Sequence, residues 1–464
     1  RMSIFRRFRR RRRSFFPEEA PKEQGDVFPG QTSSLSPRNA SASSSPRYPP
    51  ASLSPRYASA SSVASRLGPI VDPMNVIGKE LQGTGSDEER IAKCLQAGLA
   101  ALRDAADERG PGNSVSRSVV FTVKGVTTEM QELEPATFAS IRETFGIHEA
   151  THQTVLASAH CWRKMRYIDM SDASGNSQAW FLIVGDMRYM LKTCQTHEVN
   201  LLLEVLPDYL QHVHERDNTL LPRFYGLYRI RQVDRDSLFV LMGNVFAARH
   251  PIVARFDLKG STHNRKASEA EVAKGCKATL KDLDFLRRGR PLVLAAGDKA
   301  LEYVIDAVDA DADWLHRHRI LDYSMIIGLA LCPPGDHSTF GRHVVEAVAL
   351  MPLAAGDPNL MYIGIIDILT RWTLFKRIES LIGRCRRRNI SCKHPEVYAR
   401  RFKGFIRHIC TSDQASKVEL LQGDAFEKTW LEREFDGPPT CRRTSEIEMT
   451  HLSSRSKSLL RASS

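Results

Sequence analysis

The sequence predicts an α+β body of two lobes, antiparallel sheet plus helices, held between disordered flanks. Three observations carry this expectation. Apolar residues make up 42% of the 464 positions, low for a chain folded throughout, and the shortfall lies at the two ends. In the central stretch, strand-like runs accompanied by a helix come first and a more helical part follows. Gly185-Asp186, set between two apolar runs, marks an antiparallel hairpin. The divisions implied are a tail at 1–85, a first lobe at 86–244, a second lobe at 245–435 and a tail at 436–464.

Taken in order, residues up to about Ser86 are dominated by Pro, Ser and Arg and lack apolar periodicity, which predicts disorder. Ser-Pro-Arg recurs there at Ser36, Ser45 and Ser54, too short and polar a repeat for a solenoid. From Glu88 to Arg103, Ile91, Leu95, Leu99 and Leu102 follow helical spacing, and Val119 to Val123 is β-branched enough for a strand. Phe138, Ile141 and Phe145 share one face of a helix that Gly146 stops. Trp180 to Val184 and Arg188 to Lys192 are the strands of the hairpin. Leu201, Leu202, Val205 and Leu206 define a helix, after which Pro207 opens a second segment with Tyr209, Leu210 and Val213. Strands follow at Tyr225 to Ile230 and Leu238 to Met242. Then come a helix from Leu301 to Trp314, strand-like runs at Met325 to Leu331 and Tyr362 to Leu369, and a closing helix from Pro395 to Ile409. Beyond Asp436 the chain is polar again.

Formal net charge is +12, which favours polyanions and leaves nucleic acid and an anionic membrane leaflet both open. The opening cluster of seven arginines between Arg6 and Arg13, interleaved with Phe5 and Phe8, suits anionic lipid, a nuclear-import signal or a plain solvated tail. No run approaches the roughly 20 apolar residues of a spanning helix, and the N-terminus lacks the apolar core of a signal peptide, so membrane contact is expected to be peripheral. Nine cysteines without zinc spacing predict a reducing compartment and buried thiols.

Three charges interrupt apolar runs: Lys192 after Tyr189-Met190-Leu191, Asp322 between Ile320-Leu321 and Met325-Ile326-Ile327, and Asp367 inside the run from Ile363 to Leu369. Each needs a partner, a metal or a bend toward water, because an unpaired buried charge costs several kcal/mol. Singly, each also fits turn or helix-cap duty. Together they match the parts that phosphoryl transfer requires: a strand lysine behind a phosphate-covering loop, a carboxylate for Mg2+, and a second carboxylate facing the acceptor hydroxyl. The small-residue loop Ser174-Gly175-Asn176-Ser177 precedes the hairpin, although a surface turn explains it equally well. The exposed-looking run Phe256 to Ser268 gathers Asp257, Lys259, Ser261, Arg265 and Lys266 around Gly260, a set suited to a phosphate-bearing ligand or to a charged turn.

That run, FDLKGSTHNRKAS, resembles the DLKGSTxxR signature of phosphatidylinositol-phosphate kinases. Five further stretches resemble the same family in the same order: LPDYLQHVHERDNTLLPRFYGLYRI from Leu206, TLKDLDFL from Thr279, ILDYSMIIGL from Ile320, YIGIIDILT from Tyr362 and PEVYARRFKGFI from Pro395. The resemblance implies a two-lobed fold distantly like that of protein kinases, with ATP and Mg2+ as cofactors. It implies Lys192 as the ATP-phosphate lysine with Glu198 as its ion-pair partner, Gly175 and Ser177 in the phosphate loop, Asp367 as the Mg2+ ligand, and Asp322 as base or orienter of the inositol hydroxyl. Lys259 and Arg265 resemble the residues that grip the phosphate already on the ring. Lys376, Arg377 and Glu379 fall in the activation-loop segment, a basic amphipathic stretch suited to an anionic bilayer. Glu379 resembles the type I glutamate, which implies a 5-kinase acting on phosphatidylinositol 4-phosphate, with type II, type III and a non-catalytic lipid-binding scaffold as alternatives. Gln178, Leu321 and Ala330 depart from the family pattern, and Gln178 puts loop closure in doubt. The expected setting is the cytoplasmic face of the plasma membrane, with homodimers as the family often forms and no nucleic-acid partner, since no part of the body resembles a module that reads one.

Overall fold

The computed structural model describes residues 78–81, 83–109, 116–169, 179–185, 187–247, 250–295, 297–333, 346–353, 356–372, 394–412 and Trp430. All of them belong to one unit, Ala58–Ser464. The fold is a mixture of helices and largely antiparallel sheet.

The first half of the described chain supplies β1 (Lys79–Glu80), α1 (Asp87–Arg109), β2 (Ser116–Val123), β3 (Val126–Leu133), α2 (Pro135–Thr144), α3 (Glu149–Ala157), α4 (Ala159–Trp162), β4 (Arg166–Asp169), β5 (Trp180–Val184), β6 (Tyr189–Cys194), α5 (Thr196–Glu215), β7 (Phe224–Arg231) and β8 (Asp236–Gly243). Its eight strands join in the order β1-β4-β5-β6-β8-β7-β3-β2, every pair antiparallel. The hairpin expected around Gly185 is β5 and β6, with Gly185 at φ +63°. Leu95, Leu99 and Leu102 of α1 are buried with Met130, Leu182 and Leu241 of the sheet.

The second half adds β9 (Ile252–Leu258), α6 (Glu269–Val272), a 3-10 turn (Gly275–Lys277), β10 (Thr279–Leu280), α7 (Asp282–Leu286), β11 (Leu292–Leu294), α8 (Gly297–Arg317), β12 (Ser324–Ala330), β13 (Glu346–Ala349), β14 (Leu360–Ile366), α9 (Pro395–Ile409) and β15 (Cys410–Ser412). A five-stranded sheet runs β10-β9-β12-β14-β13, and β11 pairs with β15. Val308, Ala312 and Leu315 of α8 and Phe402, Phe405 and Ile409 of α9 are buried in one core with this sheet and α5, where each full burial stabilises by about 1.5–3 kcal/mol.

Pro207 does not open a new segment. It sits inside α5, a single 20-residue helix. The helix tolerates the missing amide, a loss of about 3 kcal/mol, because Val199, Leu202, Val205, Leu206, Tyr209 and Val213 form one continuous buried face across it. The end of α5 is pinned to α8 through Asp311, which is fully buried. His212 Nε2 lies 2.6 Å from its Oδ1, Thr219 donates to Oδ1 at 2.8 Å, and the Leu220 amide donates to Oδ2 at 2.6 Å. Leu220 in turn accepts from the Ile365 amide at 2.6 Å, which ties this loop to β14. Among the described residues no helix is long and apolar enough to cross a membrane.

Candidate functional site

Lys192 occupies the middle of the large sheet, between Phe181 of β5 and Val240 of β8. Alternation along β6 buries Leu191 on one side and sends Lys192, 9% exposed, into a cavity of about 1140 Å³ on the other. Its Nζ donates to Glu198 Oε1 at 2.8 Å, while Glu198 Oε2 accepts the Gln195 amide at 2.8 Å. Glu198 thus closes the first turn of α5, where the helix dipole favours a carboxylate, and holds the lysine with its other oxygen. Burial works against the ammonium, but Glu198, Cys194 and Asp367 outweigh it and hold the lysine above its ordinary range. Lys192 is therefore a fixed cation facing the cavity.

The five-stranded sheet brings three further residues to one end. In its register Leu258 faces Met325 and Ser324 faces Ile366. Lys259 just past β9, Asp322 just before β12 and Asp367 just past β14 consequently meet. Both aspartates adopt left-handed backbone, φ +65° at Asp322 and +63° at Asp367, an uncommon state that Asp tolerates better than most residues and that recurs at functional sites. The turn carries Asp367 out of its buried strand into the cavity, of which it is a lining residue. Burial by the surrounding protein raises its carboxyl above the ordinary range. Lys192 and Lys259 oppose that shift, and Asp257 and Asp322 reinforce it. Lys259 Nζ donates to both Asp322 Oδ1 and the Asp322 carbonyl at 2.8 Å. Each of the three charges that interrupt apolar runs has thus found a partner or a bend.

The run Phe256 to Ser268 is not the exposed loop its composition suggests. Phe256 and Leu258 are core residues of β9, Ser261 is fully buried and Arg265 is 8% exposed. The organiser is Asp282 at the start of α7, also fully buried. Its Oδ1 accepts the amides of Lys259, Gly260 and Ser261 at 2.9, 2.7 and 3.2 Å, and its Oδ2 accepts Arg265 Nε at 2.6 Å. Arg265 Nη2 donates to Asp257 Oδ1 at 2.8 Å and to the Asp257 carbonyl. The fork expected to grip a ring phosphate is therefore occupied by two carboxylates. Arg265 braces the loop, because a guanidinium this deeply buried requires internal anions. Gly260, at φ +68°, has no room for a side chain: a Cβ would lie 2.9 Å from Phe405 Cβ.

The cavity lies between the two sheets. Phe181, Met190, Phe224 and Met242 line it from the large sheet, with Ile363 and Ile365 from the small one. Lys192, Asp257 and Asp367 are among its charged lining residues, as are Lys266, Lys274, Lys277 and Lys281 from the segment that follows β9. An apolar wall, a fixed cation, two carboxylates and several further lysines suit a ligand with a flat apolar part and several phosphates. Among the described residues no group of three or more His, Cys, Asp and Glu is arranged to hold a metal alone. Mg2+ does not need one, since it takes one or two carboxylates and completes its shell with water and phosphate oxygens. Asp367 and Asp257 fit that requirement.

Gly175, Ser177, Lys376, Arg377 and Glu379 lie outside the described residues, as does Gln178. Sequence reading grouped Asp257 with the loop but gave it no site role, and it passed over Asp282 and Arg255. Asp257 and Arg255 alternate along one strand, a period-two signal that marks them for one face. Asp282 carried only the sign of an acidic first helical turn.

Residues 164–347 and 335–409 match the family model described as "Phosphatidylinositol-4-phosphate 5-Kinase", together more than half of the chain. The chain is 28% identical over 334 residues to phosphatidylinositol 4-phosphate 5-kinase 6 of Arabidopsis thaliana, covering 60% of this chain and 45% of that one. It is 28% identical over 362 residues to the phosphatidylinositol 4-phosphate 5-kinase its3 of Schizosaccharomyces pombe, covering 64% and 47%. It is 30% identical over 329 residues to the phosphatidylinositol 5-phosphate 4-kinase type-2 alpha of Sus scrofa, covering 61% and 78%. The chain spans about half the length of the first two relatives.

Proposed function

The chain belongs to the phosphatidylinositol-phosphate kinase family, and from that premise we propose that it transfers the γ-phosphate of ATP to the 5-hydroxyl of phosphatidylinositol 4-phosphate. The observation that carries the reading is the meeting of Lys192, held by Glu198 on the large sheet, with Asp367 on the small sheet across one cavity. Their opposed placement supports a two-lobed arrangement with the nucleotide between the lobes. In this reading Lys192 holds the nucleotide phosphates, Asp367 with Asp257 holds Mg2+, and Asp322 orients the inositol hydroxyl. The metal supplies neutralisation of charge on the phosphates. Lys259, bonded to Asp322, positions that aspartate and releases it as substrate phosphate competes for the ammonium.

Supporting the 5-position are the names of the Arabidopsis and Schizosaccharomyces relatives and Glu379 in the sequence. The pig relative favours a second reading, 4-kinase activity on the 5-phosphate lipid. Net charge +12 and the basic amphipathic segment from Trp372 to Arg388 support a peripheral position on an anionic cytoplasmic surface, and a homodimer is part of the same proposal. The test incubates the protein with labelled ATP, Mg2+ and vesicles carrying each monophosphorylated phosphoinositide in turn, then identifies the product. Label on the 5-hydroxyl of the 4-phosphate lipid is the expected result. Label on the 5-phosphate lipid establishes the second reading, and vesicle binding without label establishes a scaffold.

A further inference from the structure

One face of α9 carries Tyr398, Arg401, Phe402 and Phe405, at the i, i+3, i+4 and i+7 positions that a helix brings together. Tyr398 is fully buried and is not a lining residue of the cavity, and its hydroxyl donates to the Tyr323 carbonyl at 2.5 Å. Its ring meets the Tyr323 ring edge-on at 4.7 Å between centres, and Phe402 meets the same ring at 5.0 Å. Arg401 stacks over the Tyr398 ring, 4.8 Å from its centre, and its Nη2 reaches the Lys259 carbonyl at 3.4 Å. Gly260 approaches the helix so closely that a Cβ would lie 3.2 Å from the Arg401 carbonyl. Lys403 and Arg407 pair with Asp313 and Asp309, which ties α9 to α8.

Two successive carbonyls therefore fix the turn at Asp322. Its own accepts Lys259 Nζ at 2.8 Å, and that of Tyr323 accepts Tyr398. A left-handed aspartate, φ +65° here, persists only where its surroundings over-determine it. Burial holds the Tyr398 phenol well above its ordinary range, with Arg401 opposing that shift and Asp322 adding to it, so the hydroxyl keeps its proton and acts as a donor. Without that donor the Tyr323 carbonyl loses a buried partner, and the peptide that follows Asp322 loses its anchor.

We propose that Tyr398 is a positioning residue for phosphoryl transfer, fixing through the Tyr323 carbonyl the turn from which Asp322 reaches the acceptor hydroxyl. The inference deepens the kinase reading, on which it rests for the role of Asp322. Tyr398 itself touches no substrate. Because Arg401 and Gly260 hold the Lys259 loop against the same helix, one face of α9 sets both partners of the Lys259–Asp322 pair.

The test is Tyr398→Phe, which keeps the ring against Tyr323 and under Arg401 and removes only the hydroxyl. Initial rates of labelling are measured over ranges of ATP and of vesicles carrying the monophosphorylated phosphoinositide that wild type labels, beside thermal unfolding. The expected kcat is about tenfold or more below wild type, since a misplacement of about 1 Å at a reacting group costs on the order of a hundredfold. The KM for ATP is expected to stay within about twofold, because Lys192 and Asp367 are untouched and the lost interaction belongs to the transition state. Ile409→Val, buried at the far end of α9, controls for lost stability alone: it is expected to lower the melting temperature by a few degrees and to keep the wild-type kcat. A wild-type kcat in Tyr398→Phe overturns the positioning role and leaves the kinase reading standing, as does an equal loss of kcat in Ile409→Val. Wild type that labels no lipid overturns the kinase reading instead, and the anchor is then read by hydrogen exchange. Residues 321–324 are expected to exchange faster in Tyr398→Phe than in wild type, and unchanged exchange overturns the anchor as well.

Discussion

Asp282→Asn probes the loop that carries Lys259 to Asp322. The replacement keeps an acceptor for the amides of Lys259, Gly260 and Ser261 but removes its charge, and it turns a donor toward Arg265 Nε, which now sits 2.6 Å from Oδ2. Removing one partner of a buried ion pair costs about 3–5 kcal/mol. Arg265 keeps Asp257 at 2.8 Å, which places the loss near the lower bound, about 3 kcal/mol. For a domain of this size that lowers the melting temperature by roughly 5 °C. The assay is thermal unfolding followed by circular dichroism, run beside initial rates of lipid labelling over a range of vesicle concentrations. Because a neutral oxygen holds the Lys259 amide more weakly than a carboxylate does, the apparent KM for lipid is expected to rise severalfold while unfolding stays cooperative. A melting temperature within about 2 °C of wild type, with unchanged KM, would show that Asp282 does not hold the loop and would refute the reasoning.

Lys192→Met is expected to abolish labelling while vesicle binding persists; labelling at wild-type rate would remove the lysine from the site. Asp367→Asn is expected to lose labelling and to melt at or above the wild-type temperature. A carboxyl whose folded pKa is raised contributes stability below its unfolded pKa and loses it as pH rises through the folded value, so at neutral pH the ionised group is a net cost. A large drop in melting temperature at pH 7 would contradict that sign. His152 is 2% exposed, has both ring nitrogens without a hydrogen bond, and titrates well below its ordinary 6.5 chiefly through burial. Its contribution is present above pH 6.5 and is lost as pH falls, so His152→Phe is expected to flatten the acid side of the stability profile, and an unchanged profile would sink the assignment. Pro207→Ala restores an amide facing the Leu203 carbonyl inside α5 and is expected to raise the melting temperature by a few degrees, since an interior proline costs about 3 kcal/mol.

Sequence alone determined the types of α1, α8, α9 and the β5–β6 hairpin, the identity of the family and the three charges worth attention. Helical spacing marked α1 and α8, the bounds Pro395 to Ile409 of α9 were legible in full, and a cation or carboxylate within an apolar run declares its own cost. Local patterns suffice there because periodicity and desolvation act over a few residues. Pro207 misled because local chemistry favours a break, whereas a buried face formed with residues far along the chain overrides it. Tertiary structure alone decided which charges answer which. Arg265 has the composition of a ligand fork but meets Asp282, 17 residues on, as well as Asp257. Pairing of buried ions depends on strand register and loop path across the sheet, and sequence spacing does not encode either.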